Sequence, residues 1–175
     1  MGKFTFGYAL VMVALAVGVP TQGAIADPAD AAKPHCVVEI FPVDQESAPD
    51  ASPVCFATEE EVAAFLAGSH GPGSRAAAAS IAVGTVYKDA GGTGGSLTFW
   101  GSSACSGVTF GFPTVPSGWD NSISSMRAAT GCWGSLHAAA NYGGSKLNCT
   151  PYCSSIGSLN DSVGSLVFRP TGQVG

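Results

Sequence analysis

The chain has 175 residues, 46% of them hydrophobic, with 24 glycines, 11 prolines, only 11% charged residues and a formal net charge of −5. That balance excludes a disordered polyelectrolyte, and with seven Lys and Arg against twelve Asp and Glu it excludes a basic stripe for nucleic acid.

Lys3, the mostly apolar run from Phe4 to Val19 and then Ala24-Ile25-Ala26 read as an export signal with a small-residue cleavage site. Residues 1–26 are therefore assigned as signal peptide, and the mature chain is expected to start near Asp27. A retained membrane anchor is the rival reading, but the apolar run is shorter than the roughly 20 residues that span hydrocarbon. The mature protein is accordingly expected to be secreted, extracellular, monomeric and free of membrane.

Residues 27–79 form an N-terminal extension holding nine Asp or Glu against Lys33 and Arg75, a pattern that reads as a solvated, solubilising face. Within it, Cys36-Val37-Val38-Glu39-Ile40-Phe41 is β-branched and aromatic enough for a strand, and Asp44 to Pro53 loops back to a second at Val54-Cys55-Phe56. Thr58 followed by Glu61 is a capping box that opens a short helix through Val62, Phe65 and Leu66 and stops at Gly68. Ser69 to Ala79, with Gly71-Pro72-Gly73 inside it, is a linker by composition.

From residue 80 onward the pattern turns to strands: Ile81 to Tyr87, Ser96 to Trp100, Val108 to Phe112, Met126 to Ala128, Cys132 to Ala138, Ser145 to Cys149, a weak one near Ile156, and Ser165 to Arg169. Short strands separated by Gly, Ser and Asn turns predict an all-β, two-sheet Greek-key sandwich over residues 80–175. Leu97, Phe99, Val108, Phe110, Trp133, Leu147, Leu166 and Phe168 are the expected core.

The cysteines are Cys36, Cys55, Cys105, Cys132, Cys149 and Cys153. An even count behind an export signal points to disulfides, and the expected pairs are Cys36 with Cys55, Cys105 with Cys132 and Cys149 with Cys153. Zinc is the competing reading; no Cys-x2-Cys pair occurs, and His35, His70 and His137 lack ligand spacing.

Two near-copies of one polar motif organise the sandwich region: Trp119-Asp120-Asn121-Ser122-Ile123-Ser124-Ser125 and Leu159-Asn160-Asp161-Ser162-Val163-Gly164-Ser165. Each is an apolar anchor, two adjacent Asx residues, spacers and a closing serine. Upstream of each lies a glycine-rich hairpin, from Tyr87 to Leu97 and from His137 to Leu147. Such self-similarity is strong evidence of architecture, because two units can bury a core that one cannot.

On these residues the chain resembles the βγ-crystallin family, which pairs two Greek keys that each carry an (Asn/Asp)-(Asn/Asp)-x-x-(Ser/Thr)-Ser loop. Asp120 to Ser125 fit that loop at every position, and the second loop departs from it at Gly164. The resemblance implies calcium held by Asp120, Asn121 and Ser124 at one site and by Asn160 and Asp161 at the other, with restoration of a serine at position 164 expected to add a donor. Against this stands the reading of both loops as Asx turns that the fold needs anyway.

No Gly-x-Ser-x-Gly elbow, Ser-x-x-Lys or His-Glu-x-x-His motif is present, and two of the three carboxylates of residues 80–175 sit in matched Asx loops, so a non-enzyme is expected. A second resemblance is to small secreted bacterial metalloprotease inhibitors of crystallin-like fold, which present a short disulfide-closed loop to an extracellular protease. Cys149-Thr150-Pro151-Tyr152-Cys153 looks like that loop with one residue fewer, and Tyr152 is its expected anchor. A disulfide-tied turn between strands is the plainer alternative, and a secreted crystallin-like toxin or antimicrobial protein is the alternative function.

Overall fold

The computed structural model describes residues 34–45, 52–68 and 80–175. The export signal, the start of the mature chain, most of the Asp44 to Pro53 loop and the Ser69 to Ala79 linker lie outside the described residues.

Two Greek keys follow one another. The first comprises β4 (Ile81–Asp89), β5 (Thr93–Gly101), β6 (Phe110–Phe112) and β7 (Ser125–Ala128); the second comprises β8 (Cys132–His137), β9 (Lys146–Cys149), β10 (Tyr152–Cys153) and β11 (Ser165–Pro170). Each key gives its third strand to the other's sheet: β10 pairs with β7 in the first sheet, and β6 pairs with β11 in the second. This exchange ties the two halves into one sandwich. Alternating side chains point inward from both sheets, and Phe99 meets Phe168 and Phe112 there at ring-centroid distances of 5.6 and 5.4 Å.

The N-terminal segment completes both sheets. β1 (His35–Glu39) runs parallel to β5 with Cys36 beside Leu97 and Val38 beside Phe99, while β3 (Val54–Phe56) pairs antiparallel on its outer side. At Ile40, whose amide donates to Trp100 O at 2.8 Å, the chain crosses to the second sheet, where β2 (Phe41–Pro42) pairs with β6. Cys36, Val38 and Ile40 consequently sit in the same core as Leu97, Phe110 and Met126. Helix α1 (Glu59–Leu66) carries its capping box, with Glu61 N donating to Thr58 Oγ1 and Thr58 N to Glu61 Oε2, both at 3.2 Å. It docks through Val62 and through Phe65, whose ring lies 5.4 Å from that of Phe56.

The disulfides are Cys36–Cys55, Cys105–Cys132 and Cys149–Cys153. Leu97, Phe99, Phe110, Leu166 and Phe168 are fully buried, and Val108 and Leu147 pack at the core's margin. Trp133 departs from expectation. Its neighbours Cys132 and Gly134 both face the core, so the two-residue period of β8 sends the indole to the outer face, where it is half-buried. The weak strand expected near Ile156 is also replaced. A short β10 precedes it, and a 3₁₀ turn over Gly157–Leu159 follows, with Ile156 buried.

Candidate functional site

The two Asx loops lie side by side and obey one pseudo-symmetry. Trp119 and Leu159 plug their bases at 4% and 3% exposure, and Asn121 and Asp161 both take a φ of 53°. Asx residues tolerate that left-handed conformation because their short polar side chains bond locally. In each loop they do: Asn121 Nδ2 donates to Asp120 Oδ2 at 3.0 Å, and Asn160 Nδ2 to Asp161 Oδ2 at 2.6 Å. The loops touch where Asp161 N donates to Ile123 O at 3.0 Å.

Two serines outside the candidate ligand set fasten this arrangement. Ser125 donates to Asp89 O at 2.6 Å and accepts from Gly92 N at 3.0 Å; Ser165 donates to Ala139 O at 2.6 Å and accepts from Tyr142 N at 2.9 Å. Both serines are sealed from solvent, so each folds a glycine-rich hairpin down over its Asx loop. The closing serine of the repeat was the sequence signal for this role.

The two loops differ in the oxygen donors they carry. Among the described residues no group of three or more His, Cys, Asp or Glu is placed to hold a metal, so any ion here would depend on hydroxyl, amide and backbone oxygens. The first loop supplies such a set in Asp120, Asn121 and the largely buried Ser124. The second carries Asn160 and Asp161, with Gly164 where the first has Ser124. A Cβ at Gly164 would stand 2.8 Å from Ala139 C and 2.9 Å from Ala140 N, so the hairpin backbone already fills the space that a serine side chain needs. The expectation that a serine at 164 simply restores a donor is corrected on that ground. Lys88 also lies at the first loop, its ammonium donating to Gly118 O at 2.9 Å and sitting 4.9 Å from the Trp119 ring centre.

The Cys149–Cys153 loop stands at the edge of the first sheet. Cys149 is buried, Thr150 and Pro151 are exposed at the tip, and the Thr150–Pro151 peptide bond is cis. Tyr152 pairs with Arg127 across β10 and β7, and the Arg127 guanidinium covers its ring at 4.1 Å. The amide of Ala128 donates to Pro151 O at 2.8 Å. The loop is thus fixed at both ends, with Thr150 and Pro151 exposed and Tyr152 half-buried against the sheet.

His137, read from sequence as a strand residue without a partner, is buried on the outer face of β8. Burial lowers its pKa from 6.5, Lys146 and Arg169 lower it further, and the backbone of Tyr142 partly opposes them. A base whose folded pKa is depressed gives stability that is complete above its unfolded value and is lost as pH falls through the folded one. The protein should therefore lose stability on acidification from about 6.5 downward, and His137→Gln should flatten that part of a denaturation profile; an identical slope in both proteins would contradict this.

A family model for peptidase inhibitor family I36 matches residues 86–149. Among solved structures, the chain is similar to a βγ-crystallin from an archaeon, at 26% identity and a TM-score of 0.37 over 51% of this chain and 98% of that one. It is similar to a βγ-crystallin domain from Flavobacterium johnsoniae, at 25% identity and a TM-score of 0.37 over 52% and 98% of the two chains. A structure concerned with the evolution of the eye lens βγ-crystallin domain fold aligns at 14% identity and a TM-score of 0.43 over 55% and 94%. No curated protein matches the chain. The paired Greek keys with their Asx loops define a βγ-crystallin-like sandwich. Within it, the segment from Val86 to Cys149 is similar to peptidase inhibitors of family I36.

Proposed function

We propose that the protein is an exported, non-enzymatic peptidase inhibitor that offers the Cys149–Cys153 loop to an extracellular protease. The observation behind the inhibitor reading is the match of residues 86–149 to an inhibitor family; Thr150 to Cys153 lie beyond the matched segment, so the choice of this loop rests on its own geometry. Physical support comes from the loop itself. Its ends are joined by a bridge, Pro151 restricts one torsion and β10 is hydrogen-bonded to β7, so little conformational entropy remains to be lost when a cleft closes on it. The exposed Thr150 and Pro151 form the contact tip, and Tyr152 is a half-buried flank held by Arg127. Replacing Thr150 and Pro151 together by glycine should weaken inhibition of a thermolysin-type metalloprotease by about tenfold or more through lost pre-organisation, whereas Glu60→Ala on the exposed face of α1 should leave it unchanged. Equal inhibition constants for the two variants would remove the loop from the account.

A second reading, calcium binding at the first Asx loop, is favoured by the presence of Asp120, Asn121 and Ser124 around one turn. An ion that binds only the folded loop at one hundred times its dissociation constant stabilises by about 2.7 kcal/mol. Ser124→Ala should abolish most of the calcium-dependent rise in Tm, and Gly164→Ser should lower Tm with or without calcium, because its Cβ meets backbone. A melting curve that ignores millimolar calcium leaves both loops as structural turns.

A further inference from the structure

The outer face of the second sheet holds a hollow of about 330 Å³, walled by Val43 and Val167 and ringed by His137, Tyr142, Lys146 and Arg169. Its exposed lining is mostly apolar, and the polar groups that reach it are few. His137 is 8% exposed, and beyond a weak contact with the backbone of Tyr142 its ring nitrogens have no hydrogen-bond partner; the buried Nε of Arg169 has none at all. A buried polar group left unpaired costs free energy comparable to a lost hydrogen bond, and its usual explanation is a ligand or water that completes it.

Among its side chains, the charge around the hollow has one sign. Two of the four Lys and Arg of residues 80–175 converge here, and no Asp or Glu lines it. Lys146 comes from β9, directly opposite His137 in the ladder, and Arg169 comes from β11 on the other flank of β8. What meets these cations in the structure is oxygen from the last two residues: Lys146 Nζ donates to the peptide oxygen of Val174 at 3.2 Å and also to an oxygen of Gly175, and Gly175 lies against the Arg169 guanidinium. The exposed residues Val174 and Gly175 thus reach the mouth with their oxygens on Lys146, while the inner Nε of Arg169 stays unpaired.

We propose that this hollow is a binding site for a small organic carboxylate carrying a short apolar group, with Lys146 and Arg169 holding the carboxylate, His137 lining the inner wall, and residues 171–175 competing for the same donors. The apolar walls of Val43 and Val167 select an organic acid over a bare inorganic anion, which would leave them facing water. Neutral imidazole keeps one N–H to give, and a guanidinium with an ammonium supplies the charge-assisted bonds that a carboxylate needs.

The test is a titration of the full chain with N-acetylvaline, read at the His137 ring nitrogens by nitrogen-15 NMR, beside a titration with inorganic phosphate. A saturable shift of the His137 nitrogens with N-acetylvaline, at an affinity at least about fivefold tighter than phosphate, is the expected result. Lys146→Gln and Arg169→Gln should each weaken that affinity by about tenfold while the amide spectrum of the first sheet stays in place, and a chain ending at Pro170 should bind more tightly than the full one. Absence of a saturable shift in both the full chain and the chain ending at Pro170 would overturn the proposal. So would a response to phosphate equal to that to N-acetylvaline, because the apolar walls would then play no part.

Discussion

A chain shortened to begin at Ser80 should lose cooperative thermal unfolding or melt far below the intact protein. The reason is that β1 and β2 belong to the core and to both ladders. Shortening removes Val37, Val38 and Ile40, each no more than 2% exposed, together with Cys36 and the parallel pairing that covers β5. Burial of a Val or Ile side chain contributes about 1.5 to 3 kcal/mol, so the three together account for roughly 5 to 9 kcal/mol, comparable with the whole net stability of about 5 to 15 kcal/mol of an ordinary domain. Loss of β1 and β3 also leaves β5 as a nine-residue open edge, a template for aggregation. Calorimetry on the two chains decides the matter. An unchanged Tm would mean that the segment is an accessory and that the two Greek keys suffice.

The second large effect is expected at Gly84, where β4 passes beneath the Phe168 ring. A Cβ built there would lie 2.1 Å from Phe168 Cε1 and 2.5 Å from Cζ, and Phe168 is itself fully buried against Phe99. Valine favours strands, so Gly84→Val would be neutral or stabilising if local preference ruled. Packing should rule instead. Overpacking of a close-packed core costs about 1 to 3 kcal/mol, and contact this short belongs at the top of that range, equivalent to a fall in Tm of roughly 6 to 12 °C. Gly84→Val combined with Phe168→Ala should recover part of the loss, because the two changes share one volume. Strict additivity of the two substitutions in chemical denaturation would show that the ring does not occupy the space that Gly84 leaves.

The repeat made the sandwich readable before any coordinates. Trp119 and Leu159 announce the loop bases, and the paired Asx residues announce the turns. These are local signals, carried by neighbouring residues, and local signals survive in sequence. The helix was legible for the same reason, since Thr58 and Glu61 cap it within four residues. The disulfides join consecutive cysteines along the chain, as expected.

What was not legible depends on partners distant in sequence. Val37 and Val38 identify a strand, but nothing in their pattern tells that β1 lies parallel to β5 and that the chain then crosses to β6. Trp133 was expected inside because it is large and apolar; the inward bridge of Cys132 fixes the phase of β8 and turns the indole out. Gly164 looked like a missing donor, whereas the backbone of Ala138 to Ala140 shows it to be a close approach that only glycine permits. The hollow around His137 gathers residues from β8, β9, β11, the hairpin and the segment after β11, and no motif spans so much of the chain. Tyr152 reads as a free anchor in sequence, yet the cross-strand neighbour Arg127 covers it.

The most direct test of the inhibitor account is a titration of a thermolysin-type metalloprotease with the intact, disulfide-bonded protein, followed by mass spectrometry of the complex for attack at the Cys149–Cys153 loop. The account predicts stoichiometric loss of peptidase activity, with any cleavage confined to Thr150, Pro151 and Tyr152 and the halves still joined by the bridge. Full activity of a panel of secreted metalloproteases and serine proteases in the presence of a large molar excess of the protein would contradict it.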